Sequence, residues 1–258
     1  DTLSLHDALP ILGKVFKTNK CGDVLVVEYK NHKNVKVRFL NTGTERIVRL
    51  GNLKSGAVKD KLSPSVMGVG VVTEQVRFGD KFIYEYQIWK SVLTRCYDNK
   101  YHKKHPTYKD CEVSENFKHF SYFKEWCREQ TGFSTLDEKL RPFAIDKDIL
   151  IRGNKLYSED TCVFVPHEIN NLFTLGKRDR GELPIGVSFK KESGRYSANI
   201  SLYGKLHCLG YYTTLEEAFC VYKEAKEKYI KEIAEKWRDK IDVRVYESLM
   251  SWDVRIDD

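Results

Sequence analysis

Long apolar runs are missing from this chain. No stretch approaches the roughly 20 consecutive apolar residues that a bilayer-spanning helix needs, and the longest clusters, such as Val24 to Val27, are short and end at a charge. An apolar secretory segment is missing as well, which makes cytoplasmic residence the expectation. Seven cysteines are present (Cys21, Cys96, Cys111, Cys127, Cys162, Cys208 and Cys220), but no two form a C-x-x-C pair. That spacing excludes both a disulfide framework and a structural zinc site and predicts reduced, mostly buried thiols.

With 41% hydrophobic and 31% charged residues over 258 positions, the composition is that of a globular chain with two or three small domains. The formal charge is +7, and residues 12–71 carry twelve Lys and Arg against four Asp and Glu, so the remainder is close to neutral. A concentrated positive field suits a polyanion, of which nucleic acid is the commonest. A well-solvated basic domain accounts for the charge equally well. The first eleven residues, DTLSLHDALPI, share no periodicity with the rest of the chain. The string resembles a translated sequencing-adapter remnant, so residues 1–11, including His6 and Asp7, are given no functional weight.

Residues 12–75 read as short strands. Val15, Val24–Val27, Val35–Phe39 and Ile47–Leu50 are β-branched or aromatic clusters, separated by turns at Lys20–Asp23, Asn31–Asn34 and Asn41–Thr44. In Val35-Lys36-Val37-Arg38-Phe39 the apolar residues alternate with cations, which puts Val35, Val37 and Phe39 inside. Several short strands with tight turns resemble the Src-homology or chromo-type barrels, and a small antiparallel β-barrel with outward lysines is expected.

Residues 80–175 start helical. Tyr84, Ile88, Val92 and Cys96, with Trp89 and Leu93, repeat at i, i+4, and Phe117, Phe120, Phe123 and Cys127, with Trp126, follow the same helical stripe at intervals of three and four. These aromatics are assigned to core packing rather than base stacking. The H-x-x-H of His102 and His105 is interrupted by Pro106 and is read as a solvent-facing loop. Then Ala144–Leu150 and Thr161–Pro166 read as two strands joined by a polar turn and followed by a helix that starts near Pro166.

This ββα outline resembles the HNH nuclease family. There the first strand ends in Asp-His, a turn with Asn follows, and the helix bears His or Asn. The His activates water, and the Asp and the helix residue hold a divalent metal. The resemblance places the Asp at Asp146, the central Asn at Tyr157 and the helix residue at Asn170, with Lys147 standing where the general-base His belongs. An ammonium with a reference pKa near 10.4 is a poor base at neutral pH but a good phosphate contact. Two readings are open. In one, Asp146, Lys147 and Asn170 are catalytic, with Asp146, Asp148 and Asn170 holding Mg²⁺ or Mn²⁺. In the other, the unit is degenerate, needs no cofactor, and uses its carboxylates to cap the turn and pair with Lys147, Arg152 or Lys155.

Gly176–Gly181, with its glycines and cations, reads as a flexible linker. Residues 182–240 then show three strand signals (Ile185–Phe189, Arg195–Leu202 and Lys205–Tyr212) and a capping box at Thr214-Leu215-Glu216-Glu217. An apolar stripe runs on through Leu215, Ala218, Phe219, Tyr222, Ala225, Tyr229, Ile233 and Trp237. The stripe covers the face of Tyr196, Ala198, Ile200 and Leu202, leaving Arg195, Ser197, Asn199 and Ser201 bare. Gly186-Val187-Ser188, Ser193 to Ile200 and Leu209 to Ala218 resemble the Apetala/ethylene-response-factor DNA-binding domain over some fifty residues. That resemblance implies DNA contacts from Ser188, Lys190, Asn199, Ser201, Leu206 and Cys208, with Arg195 and Lys205 at the strand starts. The plant family places mostly arginine and tryptophan at these positions, so a different target is implied. His207 is expected packed on the inner face.

The expected architecture is therefore multi-domain α+β: a basic small barrel, a helical and HNH-like ββα middle, a three-stranded antiparallel sheet with one packed helix, and a tail over 241–258. Proteins joining the last two folded parts resemble the homing-type HNH endonucleases of phages, which implies the host cytoplasm as location. The expected partner is double-stranded DNA, with no membrane. The expected function is site-directed DNA binding beside a degenerate nuclease unit. The alternatives are an active metal-dependent endonuclease, or an inhibitor that binds a host defence protein, for which no residue speaks.

Overall fold

A computed structural model of the protein describes residues 11–173 and 183–257. The adapter-like residues 1–10 and the linker at Gly176–Gly181 lie outside them. The chain divides into two compact units at Glu125/Trp126, and no described helix is long and apolar enough to cross a membrane.

In the first unit, β1 (Val15–Lys17), β2 (Asp23–Asn31), β3 (Asn34–Phe39) and β4 (Glu45–Val48) form an antiparallel meander in that order. The expected barrel is not found. Among the described residues β1 pairs only with β2 and β4 only with β3, so the sheet stays open. Closure needs the first and last strands to meet. Here both are short, and after Val48 the chain turns into α1 (Leu50–Lys54) instead of continuing as the strand expected over Ile47–Leu50. The inward alternation holds: Val35, Val37 and Phe39 pack with Val24, Val26, Leu53 and Val58 in one core. On the other side of β3, Lys36 and Arg38 both pair with Glu45, at 2.6 and 2.7 Å.

A hairpin of β5 (Arg77–Phe78) and β6 (Lys81–Phe82) leads into α2 (Tyr84–Tyr97) and α3 (Asn99–Lys104), and β7 (Glu112–Val113) precedes α4 (Phe120–Glu129). The periodic aromatics are core, as their spacing predicts. Trp89, Leu93, Phe117, Phe120 and Phe123 are fully buried, and the Trp89 indole N–H donates to the Phe117 carbonyl at 2.6 Å. The H-x-x-H segment is helical rather than a loop up to Lys104. His102 Nε2 lies 2.8 Å from the Arg95 carbonyl oxygen, and the His105 ring stacks on Tyr101 at 4.4 Å.

The second unit begins within α4 and then holds the ββα element: β8 (Ala144–Asp146), β9 (Leu156–Tyr157), β10 (Val163–Val165) and α5 (His167–Leu172). β8 and β10 are antiparallel, with Ile145 opposite Phe164. Pro166 is the residue before the helix, at φ −62°. β8 stops four residues before the expected Leu150 because Asp146 Oδ1 accepts the backbone N–H groups of Asp148 and Ile149 at 2.7 and 2.9 Å. A side chain satisfying the two following donors turns the backbone out of the ladder.

β11 (Val187–Lys190), β12 (Arg195–Leu202) and β13 (Lys205–Tyr212) form the three-stranded antiparallel sheet in sequence order, and α6 (Leu215–Trp237) comes next. Tyr203 and Gly204, both at positive φ, make the two-residue turn between β12 and β13. Thr214 and Glu217 satisfy each other's backbone donors in the capping box. Ala218, Phe219, Tyr222, Tyr229, Ile230 and Ile233 of α6 are buried. Residues 241–258 carry a helix, α7 (Val243–Met250), where only a tail was expected. Val245 and Leu249 anchor it, Ser248 donates to the Ile149 carbonyl at 2.7 Å, and Arg152 donates to the Asp253 carbonyl at 2.6 Å. Val245 and Leu249, and Tyr246 and Met250, are both spaced i, i+4 behind the N-cap Asp242, so the helical period is present in the sequence.

Candidate nucleic-acid interface

The pairing registers decide which side chains share a face of the C-terminal sheet. Ser188 pairs with Ser197 and Lys190 with Arg195 across β11 and β12. Asn199 pairs with Cys208 and Ser201 with Leu206 across β12 and β13. All eight lie on the side away from α6, as their alternation predicts. Lys190, Arg195, Ser201, Leu206 and Cys208 are exposed, whereas Ser197 is fully buried beneath its neighbours. Lys205 pairs with Leu202 and His207 with Ile200, so both belong to the helix-bearing side. His207 is exposed there rather than packed, and Lys205 sits at the hairpin turn.

Tyr211 was not among the expected contacts. The ladder is bulged between Ala198 and Asn199: Gly210 pairs with Ala198 while Cys208 pairs with Asn199, leaving Leu209 as the extra residue. Strict alternation from Cys208 would turn Tyr212 outward and Tyr211 inward. The bulge reverses that order, so Tyr211 lies across from Ser197 on the bare face and is 56% exposed. Gly210, at φ +145°, lies in the bulge, and the Tyr212 hydroxyl donates to the Leu209 carbonyl at 3.2 Å.

The polar residues in the middle of this face are already bonded to one another. Ser188 Oγ and Ser197 Oγ are 2.8 Å apart, and Asn199 Nδ2 donates to Ser197 Oγ at 3.0 Å. Bidentate reading of adenine uses both atoms of an asparagine amide, so Asn199 has to release Ser197 before it reads a base in that way. The cations stand at the edge: Lys190 and Arg195 sit opposite each other at the end of the β11–β12 hairpin.

The ββα element is organised by Lys147 and Asn154. The Lys147 side chain is buried, and its ammonium donates to Asp148 Oδ1 at 2.6 Å and to the Asn154 carbonyl at 2.5 Å. Asn154 answers across the turn: Nδ2 donates to the carbonyls of Lys147 and Leu156 at 2.9 and 2.6 Å, and Oδ1 accepts the Leu156 N–H at 3.1 Å. The turn-organising asparagine is thus Asn154, three residues before the expected Tyr157, which is a buried aromatic 5.7 Å from the Lys147 ammonium. Asn170 is half-buried on α5, and α5 packs on β8. Partial burial pushes the Asp146 carboxyl above the usual 3.8, against the two backbone donors and with the Asp148 charge. Burial pushes the nearby Cys162 thiol up to about 12, which leaves it without nucleophilic character.

A divalent metal needs several oxygens whose lone pairs converge. Here Asp146 Oδ1 spends its capacity on the turn, and an ammonium occupies the place beside Asp148. Among the described residues no group of three or more His, Cys, Asp or Glu side chains is placed to hold a metal ion. Of the three expected ligands, Asp146 and Asp148 are thus engaged within the turn. Asn154→Ala removes three hydrogen bonds worth about 1 kcal/mol each, partly replaced by water, and is expected to lower stability by about 2 kcal/mol. Urea unfolding measures this, and an unchanged midpoint would show that the asparagine does not hold the turn.

The chain matches no protein-family model, no curated protein and no solved structure.

Proposed function

We propose that this chain is a double-stranded DNA-binding protein of phage or mobile-element type. In this reading the C-terminal sheet enters the major groove, and the ββα element is a nuclease-like scaffold without a working centre. The observation that carries the reading is the bare sheet face opposite α6, with Lys190 and Arg195 at one end and Ser188, Asn199, Ser201 and Tyr211 across it. Strands fit the major groove, where hydroxyl, amide and aromatic groups meet base edges and cations meet phosphates. Asn199 and Ser201 then face bases and Lys190 and Arg195 face the backbone. The Lys147–Asp148 pair supports the second half of the reading, because a buried lysine tied to a carboxylate is neither a base nor a vacancy for a metal.

Lys190→Ala with Arg195→Ala is expected to reduce the slope of log K against log salt by about 2, at about 0.9 per phosphate contact, with the circular dichroism spectrum unchanged. An unaltered slope rejects the sheet as the interface. Supercoiled plasmid incubated with Mg²⁺ or Mn²⁺ is expected to stay intact. Nicking that disappears in Asp146→Ala would instead establish a metal-dependent endonuclease.

A further inference from the structure

We propose that the N-terminal unit carries its own phosphodiester-binding trough, used for sequence-independent contact with the duplex backbone; this rests on the reading of the chain as a DNA-binding protein. Two open depressions of about 390 and 540 Å³ meet at Arg49 and Asn52. Arg46, Arg49 and Lys59 line the first, and Lys33, Arg49 and Lys54 line the second, with no Asp or Glu in either wall. All but Arg46 of these cations are exposed.

What sets this surface apart is that its unpaired cations line two depressions that share a wall. Lys36 and Arg38 share Glu45, Lys118 pairs with Glu115 and Lys124 with Glu74. Among the described residues Lys33, Arg49, Lys54 and Lys59 have no carboxylate partner. Four unpaired cations around one trough repel one another, and a polyanion relieves that repulsion. The walls are held in place. The Leu50 N–H donates to the His32 carbonyl at 2.8 Å, tying the β2–β3 turn to α1, and Leu53 pins α1 to the core. The Arg46 guanidinium donates to the Lys59 carbonyl and fixes the far wall.

The lining also states what kind of ligand fits. Small-molecule sites enclose most of their ligand within apolar walls, whereas both depressions are open and neither is predominantly apolar. Single-strand sites stack successive bases on a series of aromatic side chains, and the two walls together contain one aromatic ring, His32. Cations without a row of stacking platforms serve the phosphates of a duplex, which position a protein without reading sequence.

The test uses the full chain and a labelled duplex of random sequence, titrated with salt. Lys33→Ala/Arg49→Ala/Lys54→Ala is expected to reduce the slope of log K by about 2 to 3, while Lys36→Ala, whose ammonium is already paired, leaves it unchanged. Lys54→Glu alone, at an exposed position, provides a second variant and is expected to weaken binding in the same direction. A slope unchanged in both overturns the trough. Equal loss with Lys36→Ala reduces it to general charge and also overturns it. So does wild-type binding to phosphatidylserine vesicles but not to duplex. If the trough variants lower the slope and Lys190→Ala/Arg195→Ala does not, the sheet reading fails and the trough stands. The reverse pattern removes the trough and keeps the sheet.

Discussion

Gly186→Ala is expected to destabilise the second unit by about 3 kcal/mol, summing left-handed backbone strain and overpacking of about 1–2 kcal/mol each. Gly186 sits at φ +77°, and a Cβ built there lies 2.0 Å from Tyr222 Cδ2 and 2.3 Å from Cε2. Tyr222 is buried in the α6 face that covers the sheet, so the ring has no free direction in which to retreat. The backbone is held as well, because the Gly186 carbonyl accepts the Asn199 N–H at 2.7 Å and extends the ladder beyond Val187. Gly204→Ala separates the two contributions. Gly204 has nearly the same φ, +78°, but nothing lies within 4 Å of its added Cβ. It is expected to cost only the strain, about 1–2 kcal/mol. Denaturant unfolding of both variants, with hydrogen exchange along α6, measures the difference. Equal costs would mean that Tyr222 yields and that contact with Gly186 does not set the helix on the sheet.

The same glycine shows what a sequence can and cannot announce. Gly186-Val187-Ser188 was legible as the start of a strand, because a glycine before alternating residues is a local signal. That its hydrogen atom faces an aromatic ring thirty-six positions later is a property of packing, and no local pattern carries it. The alternation in β12 and the capping box of α6 were legible for the same reason: both are set by neighbours within a few residues. Closure of the N-terminal strands was not. It depends on whether β1 and β4 meet, and the cluster Ile47–Leu50 reads equally as a strand or as the strand end and helix start that it is.

The candidate site divides along the same line. Ser188, Lys190, Arg195, Asn199 and Ser201 could be placed on one face because β11 and β12 pair without interruption there. Tyr211 could not, because a bulge shifts every side chain beyond it and shows in the sequence only as a glycine at position 210. In the ββα element, Asp146 and Lys147 were located by their strand. Gly153-Asn154 is a turn signal, but the spacing of the family pattern points three residues further, to Tyr157. An amide that both donates and accepts can bridge two strands' backbones. A phenol packed beside them cannot replace it.

Trp237→Ala is expected to cost about 3–5 kcal/mol, the usual range for removing a buried tryptophan, and its consequence reaches beyond stability. The early turns of α6 carry Ala218, Phe219 and Tyr222 against the sheet, while its last turn meets the ββα element. Trp237 is 3% exposed, its indole N–H donates to Glu168 Oε2 of α5 at 2.7 Å, and its ring meets Phe143 edge-on at 5.6 Å. Lys236 adds an ion pair to the same Glu168 at 2.8 Å. One helix therefore holds the proposed reading face at one end and α5 at the other, which sets the ββα element at a fixed offset from that face. In Trp237→Ala the exchange protection of α5 is expected to fall far more than that of β12, because the sheet keeps its own helix contacts. Trp237→Phe keeps an aromatic ring but loses the hydrogen bond to a carboxylate, about 1.5–3 kcal/mol, and part of the indole's packing, and is expected to fall between wild type and Trp237→Ala. Protection lost equally in α5 and β12 would mean that the second unit unfolds as a whole. An unchanged α5 would mean that Glu168 and Lys236 hold the two parts together without the indole.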